Sequence, residues 1–373
     1  MKNEKIYYID NLRVLLITLV VLHHSFITYG APGGWYYKEA TTHTGVLIPM
    51  ILFVATNQSF FMGFFFFLSA LFIESSIEKK GAGRFAADRL KRLGIPLVFY
   101  SLVLSPFIIW LLRRFNAGEK ISFWQFLQGY HHWINFGVLW FVAALLIFTF
   151  IYVWIRPMIK QRTEKRVAAP RYPMILLFGL FLGMLSWLVR IIFPIGWELE
   201  PLGFQLGYFS QYIALFILGI VAARNLWLDN FDIKKAKPFV WIVLTFIFVG
   251  FPLIYLVKIV IGSATESFSG GGTYQSLILA VWEQIIGISI MVVLLGYGKE
   301  KWNRQSLLQK NMSRSAYAVY IFHPLVLVSL ALLFKNILMD PAVKLLFVAP
   351  LAVVFSFLLG SLLVRIPGVK KII

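Results

Sequence analysis

Apolar residues in this chain come in long unbroken runs, not in the 3.6-residue stripe of a soluble helix or the alternation of a half-buried strand. Ten such runs of about 17 to 29 residues recur, each long enough to cross a hydrocarbon core of about 30 Å at 1.5 Å per helical residue. They fall near 11–30, 46–74, 93–112, 137–155, 173–193, 208–225, 239–261, 275–296, 316–334 and 342–364. Within a bilayer no water satisfies free backbone groups, so runs of this length are helical. The pattern predicts an all-α polytopic membrane protein of about ten transmembrane helices. Polar stretches between the runs reach only about 20 residues, too short for an independent core. Residues 1–373 therefore read as a single integral-membrane domain.

Composition agrees: 60% of residues are hydrophobic, 14% are charged, and the mean hydropathy is +0.79. A net charge of +19 would suit a nucleic-acid partner, but the basic residues lie between apolar runs and not on the face of a soluble domain, so none is expected. With both termini cytoplasmic, 26 of the 35 lysines and arginines fall in inside segments. The outside segments then hold eight, Arg190 and Lys344 among them, which is the positive-inside asymmetry. Lys2 and Lys5 ahead of the first run suggest a signal sequence, but the length and polar content of that run read as a retained anchor. The chain has no cysteine, which excludes disulfides, thiolate metal sites and a cysteine nucleophile. No metal site is expected.

Polar residues inside the runs are the candidates for chemistry, because each is costly in hydrocarbon. Arg13 and His24 are eleven residues apart in the first run, three helical turns plus roughly 20°, so they share one face about 16 Å apart along the axis. His23 points about 100° away. Either Arg13 is an interfacial anchor and His24 a packed histidine, or the two are functional. Arg89 and Arg92, just before the third run, would face the same way on a helix and grip a polyphosphate; positive-inside anchoring also accounts for them. Asn57, Gln58 and Ser59 interrupt the second run, as helix contacts or as substrate contacts. Tyr317, Tyr320 and His323 share a face of the ninth run, where Pro324 follows at once. Glu283 is the carboxylate set well inside a run, as an ion-pair partner or a proton group. On the outside, His131, His132, Trp133, Trp197, Glu198 and Glu200 suit a sugar or an aromatic belt. The glycine pattern at 81–86 resembles a dinucleotide fingerprint in letters alone, since no strand precedes it.

Five motifs occur in order along the chain: Arg13-x10-His24; Phe64 to Ser69; Arg89-x-x-Arg92 leading into Gly94-Ile95-Pro96; Leu139-Trp140-Phe141; and Ser315-x4-Tyr320-x2-His323-Pro324. Together they resemble the integral-membrane acyltransferase-three family over nearly the whole chain. The end at Leu363-Val364-Arg365-Ile366-Pro367 is similar to the glucan succinyltransferase branch, whose members are single-domain.

The resemblance implies an O-acyltransferase in a bacterial inner or plasma membrane. It would carry an acyl group from cytoplasmic acyl-CoA, a substrate and not a resident cofactor, to a hydroxyl of a surface or periplasmic carbohydrate. His24 matches the family's essential histidine, Arg13 its partner arginine, and Arg89 and Arg92 the motif for coenzyme A phosphates; His323, Glu283 and Tyr320 match less firmly. An imidazole titrates near neutrality and suits a general base. Arg13 lies too far along the helix to touch His24, which assigns it to the donor's path. Two rivals of other classes stand beside this reading. A proton-coupled transporter or flippase would use the same intramembrane polar residues, and an acyl-CoA-binding scaffold would bind without turnover.

Overall fold

The computed structural model describes residues 6–41, 43–159, 167–229, 231 and 233–372. Among the described residues, ten helices are long and apolar enough to cross a membrane: α1 (Tyr7–Thr28), α2 (Thr44–Lys80), α3 (Ala82–Phe115), α4 (Gly137–Met158), α5 (Tyr172–Ile192), α6 (Leu206–Arg224), α7 (Ala236–Ile261), α8 (Tyr274–Lys301), α9 (Leu307–Phe334) and α10 (Pro341–Leu363). Among the described residues no sheet forms; an isolated bridge joins Leu199 to Phe204. The expected runs and the helices coincide in number and order. Helices outlast the runs where backbone hydrogen bonding continues into charged sequence: α3 begins at Ala82 and α9 at Leu307. The Arg89-x-x-Arg92 segment is thus helical and continuous with the span it precedes.

α1 lies at the centre, packed against α8, α9, α10 and α2, with Leu12, Leu16 and Val21 fully buried. α9 pairs with α10, α5 with α8, and α6 with the second half of α2. α7 rests on α8 at the periphery and turns Trp241, Phe248 and Val260 outward. Large apolar side chains exposed over the outside of α5 and α7 are what a bilayer as solvent requires.

Two kinds of irregularity shape the interior, and both begin in the sequence. Leu90–Gly94, Tyr100–Leu104 and Phe246–Gly250 are π-helical, and each runs directly into a turn carrying a proline, Pro96, Pro106 or Pro252. Proline lacks the N–H for the carbonyl four residues back and its ring crowds that carbonyl, so the turn before it widens. Pro96 frees the Arg92 carbonyl in this way, and the Tyr317 hydroxyl donates to it (3.3 Å), tying α9 to α3. The wider turn also opens the angle between Arg89 and Arg92 beyond that of a regular helix.

The second irregularity is a break in α2 at Ser59–Phe60, inside the Asn57-Gln58-Ser59 interruption. The freed groups find partners within the bundle. Gln211 Nε2 donates to the Ser59 carbonyl (2.6 Å) and to Gln284 Oε1 (2.9 Å), Asn57 Nδ2 to the Leu19 carbonyl (3.1 Å), and Gln58 Nε2 to the Tyr212 hydroxyl (3.3 Å). α8 approaches so closely here that a Cβ on Gly287 would lie 2.1 Å from the Ser59 carbonyl oxygen, so the position requires glycine.

Two outside-segment assignments change with the structure. Arg190 lies within α5 and is fully buried, and Lys344 lies in α10 and is 3% exposed, so neither is a loop charge. Both cations are drawn inward by carboxylates that hydropathy does not register: Glu283 and Glu39 respectively. Lys2, Lys5, Lys160, Arg162, Lys165 and Arg166 lie outside the described residues.

Candidate active site

The proline device recurs at the most informative place in the bundle. Pro324 continues α9 but offers no N–H to the Tyr320 carbonyl four residues back. His323 Nδ1 lies 2.9 Å from that carbonyl oxygen. A carbonyl only accepts, so Nδ1 carries the proton, and in the neutral ring the lone pair sits on Nε2. Nε2 is buried and unpartnered, and His323 as a whole is fully buried.

α1 brings His24 to the same place. The His24 and His323 rings lie 5.4 Å apart, centroid to centroid, and within 19° of parallel. Trp35, from the segment joining α1 to α2, completes the group: its ring stacks on His24 at 3.9 Å and 17° and lies 6.0 Å and 14° from His323. His24 Nδ1 and Trp35 Nε1 are likewise buried without a partner. His23 stands at 88° to His24 and packs on Phe61 at 4.9 Å, facing away as the helical step predicts.

The segment that carries Trp35 is fastened at several points. Lys344 Nζ donates to Glu39 Oε2 (2.7 Å), the Glu39 amide to the Thr28 carbonyl (2.7 Å), and Thr41 Oγ1 to Asp340 (3.0 Å). Tyr37 donates to Glu39 Oε1 (2.9 Å); burial and the adjoining carboxylate push its hydroxyl up, so it stays a donor. Tyr36, edge-on to Trp35, shares a 2.7 Å hydrogen bond with the Tyr100 hydroxyl. Gly137 at the start of α4 has φ +44°, and a Cβ there would meet the Tyr36 hydroxyl at 2.6 Å. Tyr320 donates its hydroxyl to the Val138 carbonyl beside it and offers only its ring, 6.2 Å from His323.

Arg13 lies three turns below His24 on α1. Its guanidinium bonds Asp10 (3.3 Å) and covers the Phe72 ring at 5.0 Å. Arg89 sits over Phe85 at 5.2 Å and feels the charge of both Arg13 and Arg92, so the three sequence-predicted arginines form one basic neighbourhood. Arg92 is exposed. Phe72 also lines a cavity of about 690 Å³ at this end of the bundle. The cavity carries a knot unforeseen in the sequence: Glu74 accepts from Arg224 (2.6 Å), Arg156 (3.2 Å) and the Tyr152 hydroxyl. Its one sequence signal is a carboxylate ending an apolar run at the basic end.

Glu283 belongs to a third group. Arg190 Nη2 donates to Glu283 Oε2 (2.7 Å) and Arg190 Nε to the Gly207 carbonyl (3.2 Å), while the guanidinium covers Tyr208 at 4.9 Å. Among the described residues no group of three or more His, Asp or Glu forms a metal site.

A family model described as an acyltransferase domain matches residues 6–361. Glucans biosynthesis protein C of Escherichia coli strain SMS-3-5 is 23% identical over 339 residues, 87% of this chain and 83% of that protein. The protein of the same name from strain K12 is 22% identical over the same coverage. No solved structure matches. With ten membrane-crossing helices and a family match over almost its whole length, the chain belongs to the acyltransferase-three family and is a multi-pass membrane acyltransferase.

Proposed function

We propose that this protein is an O-acyltransferase that moves an acetyl or succinyl group from cytoplasmic acyl-CoA to a hydroxyl of a periplasmic or cell-surface carbohydrate. The observation that carries the reading is the meeting of His24 and His323 inside the bundle, with unpartnered ring nitrogens on both. Acyl transfer to an alcohol needs a base at the hydroxyl, and His24 fills that role. Arg89 and Arg92 grip the coenzyme A phosphates, and Arg13 and the Tyr320 ring flank the path of the acyl arm from that end toward His24. A carbohydrate acceptor is supported by the relatives named for glucan biosynthesis. The 2.7 Å Arg190–Glu283 pair, matched charge for charge, supports the ion-pair reading of Glu283 over the catalytic one, with the proton chemistry carried by the histidines.

In one step the acceptor oxygen forms a bond to the thioester carbon as its proton passes to His24, and the carbonyl electron pair moves onto oxygen. That pair returns, the C–S bond breaks, and the departing thiolate takes the proton from the imidazolium. The test is free-thiol release from acetyl-CoA and succinyl-CoA by purified protein in lipid nanodiscs with an oligosaccharide acceptor. His24→Ala is expected to lower kcat at least 10²-fold, and Arg13→Ala to raise KM for the donor. Turnover unchanged by both substitutions would exclude this assignment.

A further inference from the structure

Acyl transfer needs, besides a base, a hydrogen-bond donor where negative charge develops on the carbonyl oxygen. None of His24, Arg13, Arg89 and Arg92 fills that place in the proposed mechanism. Among the described residues, the three-ring stack holds three buried nitrogens without partners: His24 Nδ1, His323 Nε2 and Trp35 Nε1. They differ in what they can do. Pro324 leaves the Tyr320 carbonyl to His323 Nδ1, so in neutral His323 the free nitrogen is an acceptor, which an oxyanion would repel. His24 is committed to taking a proton. Indole N–H is a donor only and keeps its proton throughout.

The geometry favours Trp35 further. All three ring planes lie within 19° of one another, which stacks the indole against the two imidazoles and keeps its N–H within the same buried group. The segment that carries Trp35 is also held at several points, by the Lys344–Glu39 pair, by Thr41 on Asp340 and by Tyr36 on Tyr100. A donor fixed in advance in a water-poor site is the arrangement that stabilises developing charge most strongly. Arg13, three turns away along α1, does not reach this place.

We propose that Trp35 is a catalytic residue whose indole N–H donates to the oxygen of the transferring acyl carbonyl. The inference rests on the acyltransferase reading and adds the group that receives the charge. Its test is Trp35→Phe, which keeps a stacking ring and removes the N–H, beside Trp35→His, which restores a ring donor. Thiol release from acetyl-CoA is expected to fall about 10²- to 10³-fold in kcat for Trp35→Phe, with KM changed no more than about threefold and partial recovery in Trp35→His.

Infrared difference spectra of bound [1-¹³C]acetyl-CoA give a readout independent of turnover. The carbonyl band should lie below that of free acetyl-CoA in the wild type and move back toward it in Trp35→Phe. Wild-type turnover with kcat unchanged in Trp35→Phe, or a bound carbonyl band that does not move, overturns the role of Trp35 and leaves the acyltransferase reading standing. Wild-type protein that neither releases thiol nor shows a bound band removes that reading and this proposal together.

Discussion

Single charges inside this bundle are held in pairs, and the pairs carry measurable consequences. Arg190 and Glu283 are both buried and face each other at 2.7 Å. Removing one partner strands the other without water, at a cost of about 3–5 kcal/mol, whereas removing both leaves an apolar contact that is far less costly. Glu283→Gln is therefore expected to lower the thermal unfolding midpoint in detergent markedly, and Arg190→Met with Glu283→Leu to recover most of the loss. A double variant no more stable than Glu283→Gln would show that the pair is not the origin of the effect. Sequence spacing exposed Glu283 as a group in need of a partner but not which partner, since α5 and α8 meet only in the fold. His24 and His323 were legible singly for the same reason: each sits on a helical face that spacing defines, but their meeting depends on the packing of α1 against α9. Trp35 gave no signal, because a tryptophan between two membrane helices reads as an interfacial anchor.

At the scale of elements, hydropathy recovers the ten helices and not their internal irregularities. Their ends differ because hydropathy reports the part within hydrocarbon, while the hydrogen-bonded ladder continues through 82–92 and 307–315. The break in α2 has a sequence cause in Asn57-Gln58-Ser59, but its position depends on Gln211 and Gly287 from α6 and α8. The segment between α1 and α2 yields the sharper expectation. Lys344 on α10 and Glu39 on that segment are matched at 2.7 Å, with the Lys344 side chain 3% exposed. Lys344→Met leaves a carboxylate without its cation and loosens the segment that positions Trp35. Protease cleavage within residues 29–43 should become faster and kcat for thiol release should fall, with KM for the donor nearly unchanged. Glu39→Gln combined with Lys344→Met should restore part of both. Cleavage and kcat that stay at wild-type values would mean that other contacts alone hold the segment.

For the molecule as a whole, the proposed function requires sidedness: the basic neighbourhood of Arg13, Arg89 and Arg92 would have to face a cytosolic donor and the histidine pair an outside acceptor. Arg13 and His24 share one helix, which fixes them relative to each other at about 16 Å, the length the proposed reaction path would have. The positive-inside rule applied to the loop charges predicts that the Arg13 end faces the cytoplasm. Because the chain contains no cysteine, that orientation can be read with single introduced thiols and no background. Lys79→Cys and Ser306→Cys lie at the end of the bundle assigned to the cytoplasm; Ser122→Cys and Glu266→Cys lie at the other, and all four positions are exposed. A membrane-impermeant maleimide applied to intact spheroplasts is expected to modify the second pair and to reach the first only after the membrane is opened. The reverse pattern would place Arg89 and Arg92 on the outer face, where no acyl-CoA is found, and would exclude a cytosolic donor. The expected pattern places Arg13 at the donor side and His24 deeper in the membrane, the order in which the proposed function has an acyl group travel along α1.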